Sequence, residues 1–253
     1  MGILDKKVAI VTGAGKGLGA SEAVALAKEG ASVVVLSRTL ADVERTATTI
    51  ASLGGSALPL VCDVRDRGQV ADAVSAAVER FGSVDILVNN AQIIYPEHPL
   101  EDWTEEEMRA TWESGLLGSW HFMVACLPHM KAAGGGRIIN LSSASAYGAI
   151  TGFVGYSTAK DAVRCLSRCA AREWGKHNIT VNVISPLAMS DAALELFGSP
   201  EQQEALLDML GSPLRRFGDP EQDVGRAIVF LVGPDAKHIT GCTLSVDGGS
   251  AMI

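Results

Sequence analysis

Lys7-Val8-Ala9-Ile10-Val11-Thr12-Gly13-Ala14-Gly15-Lys16-Gly17-Leu18-Gly19 is the stretch that decides the fold. Lys7 to Val11 reads as a strand, and its unbroken apolar run predicts burial on both faces. The glycines that follow let the backbone turn tightly. Residues 17–29 then carry an Ala/Val/Leu-rich helical pattern. A strand that ends in a glycine turn and feeds straight into a helix opens a βαβ unit, and such units build parallel sheets.

The alternation continues along the chain. Strands are predicted at 32–36, 57–62, 84–88, 137–141, 180–184 and 243–246. Helices are predicted at 40–53, 67–81, 104–131, 155–174 and 220–231. The helix at 104–131 opens with Thr104-Glu105-Glu106-Glu107, a capping box with acids at the positive helix end. Residues 187–215, which hold Pro200 and Pro213, are predicted to be irregular. Strands apolar on both faces, alternating with helices, give an α/β fold: a doubly wound parallel sheet with helices on both faces. No stretch rich in Pro, Ser or charge divides the 253 residues, so a single domain is expected.

The formal net charge of -8 argues against nucleic acid or an anionic membrane as the main partner. No apolar run is long and clean enough to span a bilayer, and the N-terminus lacks a secretory apolar region. The five cysteines and five histidines have no metal-binding spacing, so no metal site is expected. A reduced, cytoplasmic setting fits this cysteine usage.

Three residues carry the chemistry: Ser143, Tyr156 and Lys160. Tyr156 and Lys160 are four apart and share one helix face. A lysine ammonium there would favour tyrosinate and lower the Tyr156 pKa, so that the phenol exchanges a proton near neutral pH. Ser143, at the end of the apolar run before it, can set a hydroxyl beside the phenol. At the other end, the glycine turn lets backbone approach a pyrophosphate, whose charge faces the free N–H groups of the helix start.

With Thr12-Gly13-Ala14-Gly15-Lys16-Gly17-Leu18-Gly19, Cys62-Asp63-Val64, Asn89-Asn90-Ala91, Val181 to Pro186 and Val246-Asp247-Gly248-Gly249, this constellation resembles the short-chain dehydrogenase/reductase family over nearly the whole chain. The resemblance implies a Rossmann-type domain with a cofactor half over about residues 1–92 and a catalytic half over about 93–253, including a lid at about 187–215. It implies Tyr156 as general acid/base, Lys160 as its partner and as a ribose ligand, and Ser143 polarising a carbonyl. Gly13, Lys16, Gly17, Leu18 and Gly19 would cradle the dinucleotide, Asp63 and Val64 its adenine, and Asn89, Ala91 and Pro186 the remainder.

An acid after the second strand would bind the adenine-ribose hydroxyls. Here Ser37 holds that place and Arg38 follows, so NADP(H) is expected over NAD(H). Ile93, Ser145, Tyr147, Phe153, Leu187, Met189 and Phe197 are the expected substrate pocket, mostly apolar and suited to a bulky carbonyl compound or its alcohol. The family also implies a homotetramer. Two other readings stand beside this one: a 3-oxoacyl thioester reductase, and a cofactor-binding regulatory protein impaired in turnover.

Three positions depart from the family pattern. Gln92 replaces the Gly of Asn-Asn-Ala-Gly, and Leu187 replaces the Gly after Pro186. Gly115 stands where the family carries an Asn linked to a water that relays protons to the lysine. The missing side chain is expected to leave room for water at a helix bend. Restoring it with Gly115→Asn is then expected to keep turnover within about tenfold, or to raise it.

Overall fold

The computed structural model describes residues 2–188, 199–209 and 211–251. In β1 (Val8–Thr12), Ala9 and Val11 enter one core layer and Ile10 the other. β2 (Ser32–Ser37) divides its side chains the same way, Val33 and Val35 against Val34 and Leu36. This is the two-residue period of a strand whose faces are both covered. The other strands are β3 (Ser56–Val61), β4 (Ile86–Asn89), β5 (Gly136–Leu141), β6 (Ile179–Pro186) and β7 (Thr243–Val246). All pair in parallel in the order β3-β2-β1-β4-β5-β6-β7. Pro59 is tolerated because β3 lies at the sheet edge.

The helices are α1 (Gly17–Lys28), α2 (Leu40–Ser52), α3 (Arg67–Phe81), α4 (Glu105–Trp112), α5 (Gly118–Ala132), the short α6 (Ser145–Gly148), α7 (Val154–Trp174), α8 (Pro200–Met209) and α9 (Arg226–Val232). On one face α1, α2 and α9 bring Leu26, Ile50, Ile228 and Leu231 onto the sheet. On the other, α3, α5 and α7 bring Val74, Phe122, Met123 and Ala170. No helix among the described residues is long and apolar enough to cross a membrane.

Local chemistry fixes the helix ends. Asp66 caps α3 by accepting from the Gly68 and Gln69 amides at 2.8 and 3.2 Å, and Gly82 closes the helix in the left-handed region at φ 86°. The capping box at Thr104 forms as expected: the Thr104 hydroxyl accepts from the Glu107 amide, and the Glu107 carboxylate accepts from the Thr104 amide.

Two expectations are corrected. The helix expected at 104–131 is broken by a π turn at Glu113–Leu117 that centres on Gly115. Glycine's freedom makes this the point where an extra residue is accommodated most cheaply. The region 187–215 is not wholly irregular, because α8 runs through it. Pro200 reads as a breaker but stands at the first helical position, where its missing N–H costs nothing, and Ser199 accepts from the Gln202 amide at 3.2 Å.

β1 is flanked by β2 and β4, so the connections diverge at its C-terminal end. In a doubly wound sheet the crevice outside that point is the place for a ligand.

Candidate active site

The loops after β1 and β4 are locked together at the switch point. The Thr12 hydroxyl accepts from the Asn90 and Ala91 amides at 3.0 and 3.1 Å, and the Asn90 side chain donates to the Thr12 carbonyl at 3.0 Å. Gly13 has a φ of 66°, and a Cβ there would lie 2.8 Å from the Asn90 amide nitrogen. A Cβ on Gly19 would lie 2.4 Å from the Gly13 carbonyl oxygen. Only glycines allow this close packing of turn, helix start and neighbouring loop.

A cleft of about 460 Å³ runs from this turn across the ends of the strands. At one end it is lined by Lys16, Ser37, Arg38, Asp42 and Asp63, and at the other by Ser142, Tyr156 and Lys160. Arg45 pairs with Asp42 at 2.7 Å, and Arg65 grips both oxygens of Asp63 at 2.6–3.1 Å. The Arg65 guanidinium holds the Asp63 carboxyl below its ordinary pKa. With both carboxylates taken, Lys16 and Arg38 form no close ion pair among the described residues, although the Arg38 charge also helps to hold Asp63 ionised. This end carries Lys16, Arg38, Arg45 and Arg65 against Asp42 and Asp63, a surplus of positive charge.

At the other end, α7 presents Tyr156 and Lys160 one turn apart. Lys160 is buried; its ammonium donates to the Leu141 carbonyl at 2.8 Å and lies 5.5 Å from the Tyr156 ring centre. The Ser142 hydroxyl donates to the Lys160 carbonyl at 3.2 Å, which ties the end of β5 to α7. The Ser143 hydroxyl accepts from the Ser145 amide at 3.2 Å and lies beside Tyr156.

The expectation that Lys160 holds Tyr156 below its ordinary pKa is not met. Burial pushes Tyr156 up, and the Ser143 hydroxyl only partly offsets that. Burial also pulls Lys160 down, to about 8. Charge is disfavoured on both groups because both have left water. At neutral pH Tyr156 is therefore a protonated phenol, equipped to give a proton.

Known proteins resemble this chain over nearly its whole length. The family model described as enoyl-(acyl carrier protein) reductase matches residues 13–251. A 12α-hydroxysteroid dehydrogenase from a Clostridium species is 42% identical, with 98% of each chain covered. A short-chain reductase, NovJ, from Streptomyces niveus is 38% identical over 98% of this chain and 95% of its own. The chain is a short-chain dehydrogenase/reductase. Among solved structures, a 7α-hydroxysteroid dehydrogenase complexed with NADH and 7-oxo glycochenodeoxycholic acid superposes with a TM-score of 0.90 at 36% identity, covering 97% of this chain and 94% of that one. Members of this family are oxidoreductases.

Within this dehydrogenase/reductase the cleft gathers Gly13, Lys16, Gly17, Leu18, Gly19, Ser37, Arg38, Asp63, Val64 and Ala91, and also Pro186 and Leu187. Ile93 lies in the same wall. Asn89 does not: it is buried beneath, donating to Asn140 Oδ1 at 2.8 Å, and its neighbour Asn90 faces the cleft instead. Ser143 is not part of the cleft lining, although its hydroxyl lies beside Tyr156, which is. Ser145, Tyr147 and Phe153 also lie outside this wall, and Tyr147 stacks under the Arg164 guanidinium 3.9 Å from its ring centre. Met189 and Phe197 lie outside the described residues.

The space expected beside Gly115 is already filled. A Cβ on Gly115 would sit 2.1 Å from Gln92 Oε1 and 2.9 Å from its Cδ. Gly115→Asn alone is thus no restoration, because the amide it would add meets one already there.

Glu22 is a buried acid within reach of the Lys160 charge that the sequence reading missed. It is fully buried on α1, and neither carboxylate oxygen has a hydrogen-bond partner among the described residues. The signal was an acid inside the apolar stripe Leu18–Glu22–Leu26, spaced to face the sheet. Burial raises its pKa to about 8, against the pull of the Lys160 charge. A folded-state pKa above the unfolded value means the native protein holds the extra proton, so this contribution to stability is lost as pH rises from 4.5 towards 8. Glu22→Gln should therefore gain stability relative to wild type across that window, by up to a few kcal/mol at about 1.4 kcal/mol per pKa unit. Denaturant unfolding at a series of pH values measures this. A stability difference that does not change with pH would mean that Glu22 does not titrate as a buried, unpaired acid.

Proposed function

We propose that this chain is an NADP(H)-preferring oxidoreductase that interconverts a bulky apolar ketone and its secondary alcohol. The observation that carries the reading is the shared cleft, with a cationic end at Lys16 and Arg38 and a proton-transfer pair at Tyr156 and Lys160. The glycine cradle fits a dinucleotide, since only glycines at 13 and 19 let the turn pack this closely at the start of α1, whose free N–H groups would face a phosphate. A nicotinamide cofactor bound along the cleft would supply or accept the hydride.

The chain's own residues handle the proton. In reduction, the Tyr156 hydroxyl donates its proton to the oxygen of the substrate carbonyl, and in oxidation the same oxygen takes it back. Ser143 donates a hydrogen bond that steadies the charge developing on that oxygen. The Lys160 ammonium, 5.5 Å from the Tyr156 ring centre, would offset part of the cost that burial puts on the phenolate after transfer. Leu187 shapes the substrate side; its backbone is fixed between the Val246 carbonyl at 3.0 Å and the Gly218 amide at 2.9 Å. This ordered backbone, and the intact Ser143, Tyr156 and Lys160, weigh against a binder impaired in turnover.

The substrate class rests on an apolar wall at Ile93, Ile94, Leu187 and Ala188 and on relatives that include hydroxysteroid dehydrogenases. The description of the family model keeps a carrier-bound acyl thioester as the second reading. An acidic carrier needs free cations beside the cleft. Arg215 pairs with Asp208, and Arg216 pairs with both oxygens of Asp223 at 2.5 and 3.1 Å, so both are already neutralised. Exposed Trp112, Leu117, Trp120 and Val124 along α4 and α5 support the homo-oligomer that family likeness implies.

The test is kcat/KM across matched neutral and anionic ketones and 3-oxoacyl thioesters. Bulky neutral ketones should be preferred by about tenfold or more, the scale of a few buried methylenes. A marked preference for anionic or thioester substrates would sink the proposed class.

A further inference from the structure

Two departures from the family pattern, 23 positions apart in sequence, meet in space. Gln92 leaves the end of β4 and its side chain crosses to the π turn between α4 and α5. Its Nε2 donates to the Thr111 carbonyl at 2.9 Å, to the Ile93 carbonyl at 3.0 Å and, at 3.4 Å, to the Ser114 hydroxyl. The Ser114 hydroxyl in turn accepts from the Ile93 amide at 3.0 Å and donates to the Ala110 carbonyl at 2.8 Å. The Gln92 Oε1 is buried, has no hydrogen-bond partner among the described residues, and lies where a Cβ on Gly115 would be.

The fit is tight. The amide could make way for a Cβ on Gly115 only by leaving the Thr111 carbonyl, which would strand buried polar groups. A glycine at 92 would leave, among the described residues, the Ile93 amide to Ser114 hydroxyl bond as the hydrogen bond joining the loop to the π turn. Gln92, Ile93 and Ser114 line the same cleft as Tyr156 and Lys160, and the π turn packs against α7. π turns inside α-helices recur at functional sites because they aim backbone groups that a regular helix would hide.

We propose that the Gln92 carboxamide is a positioning group that takes over the place of a side chain at 115, clamping the loop after β4 to the π turn and so fixing the reaction end of the cleft. Gln92 and Gly115 are a matched pair, and each is tolerable only with the other. This rests on reading the cleft as an oxidoreductase site. It goes beyond that reading in assigning a role to a residue that touches neither the adenosine end nor the transferred proton.

The experiment is a double-mutant cycle with Gln92→Gly, Gly115→Asn and the double variant, joined by the shape-conserving Gln92→Met. Thermal midpoint, NADPH dissociation constant, kcat and the kcat–pH profile are read for each. Both single variants of the cycle should lower the midpoint and cut kcat by about tenfold, and the double should recover to within about threefold of wild type. Gln92→Met, which keeps the volume and loses the donors, should also lower kcat and shift the alkaline limb of its profile. NADPH affinity should stay within about threefold throughout, because Lys16 and Arg38 are untouched. Gly115→Asn behaving as wild type, a double variant no better than its worse parent, or Gln92→Met with unaltered kcat and pH profile would each overturn the proposal. A wild type silent on every ketone would refute the oxidoreductase reading instead, and the thermal midpoints would still decide the pairing.

Discussion

Tyr156→Phe is expected to lower turnover by about 10²- to 10⁴-fold, the span usual for a positioned acid/base. The substitution removes the only atom of Tyr156 that carries the proton and keeps the ring that packs near Lys160. Stability and NADPH affinity should survive, so the loss belongs in kcat, as for an interaction made in the transition state. The raised pKa of Tyr156 adds a direction to this expectation. With the phenol protonated at neutral pH, ketone reduction needs no prior ionisation, whereas alcohol oxidation needs the phenolate and should grow faster as pH rises. Steady-state rates in both directions, under conditions where hydride transfer limits, check this. Near wild-type turnover in Tyr156→Phe would remove the proposed acid/base.

Arg38→Asp is expected to cost about 10- to 100-fold in kcat/KM with NADPH and to lower or reverse the preference over NADH. A charge-assisted hydrogen bond is worth about 1.5–3 kcal/mol, and the aspartate adds repulsion where a 2′-phosphate would lie. The cleft itself supports this size of effect, because Asp42 and Asp63 are already engaged by Arg45 and Arg65. Arg38 and Lys16 therefore form no close ion pair among the described residues and can meet a ligand. The same carboxylate on residue 38 can bind the free ribose hydroxyls of NADH, so efficiency with that cofactor should hold or rise. Kinetics with both cofactors, at fixed ionic strength because exposed charges are screened by salt, make the comparison. Equal efficiency of the wild type with NADPH and NADH would refute the cofactor assignment.

Much of this molecule is legible from local signals. The run from Lys7 to Gly19 specifies strand, turn and helix by its own chemistry, and β1 and α1 form within a residue of where the pattern puts them. Tyr156 and Lys160 share a helix face by spacing alone, and the box at Thr104 forms from four consecutive residues. Signals that depend on partners distant in sequence were not legible. Gln92 and Gly115 each stand out as an oddity, yet nothing local says that one fills the space of the other. Tyr156 was expected to be acidified by Lys160, but a count of neighbours along a helix does not contain the burial that acts on both groups. α8 was hidden because Pro200 is a breaker inside a helix and a starter at its first turn, and sequence alone did not decide which applies.

The most direct test uses NADPH carrying deuterium at the transferable position, mixed with the wild-type protein and a bulky neutral ketone, with the product analysed for the site of the label. Transfer between the nicotinamide and a carbonyl carbon, with Tyr156 supplying the other proton, predicts an alcohol whose deuterium is bonded to the carbinol carbon and whose hydroxyl proton comes from solvent. No labelled alcohol from any ketone in the panel, together with label delivered to the β-carbon of the saturated acyl thioester formed from an enoyl thioester, would contradict it.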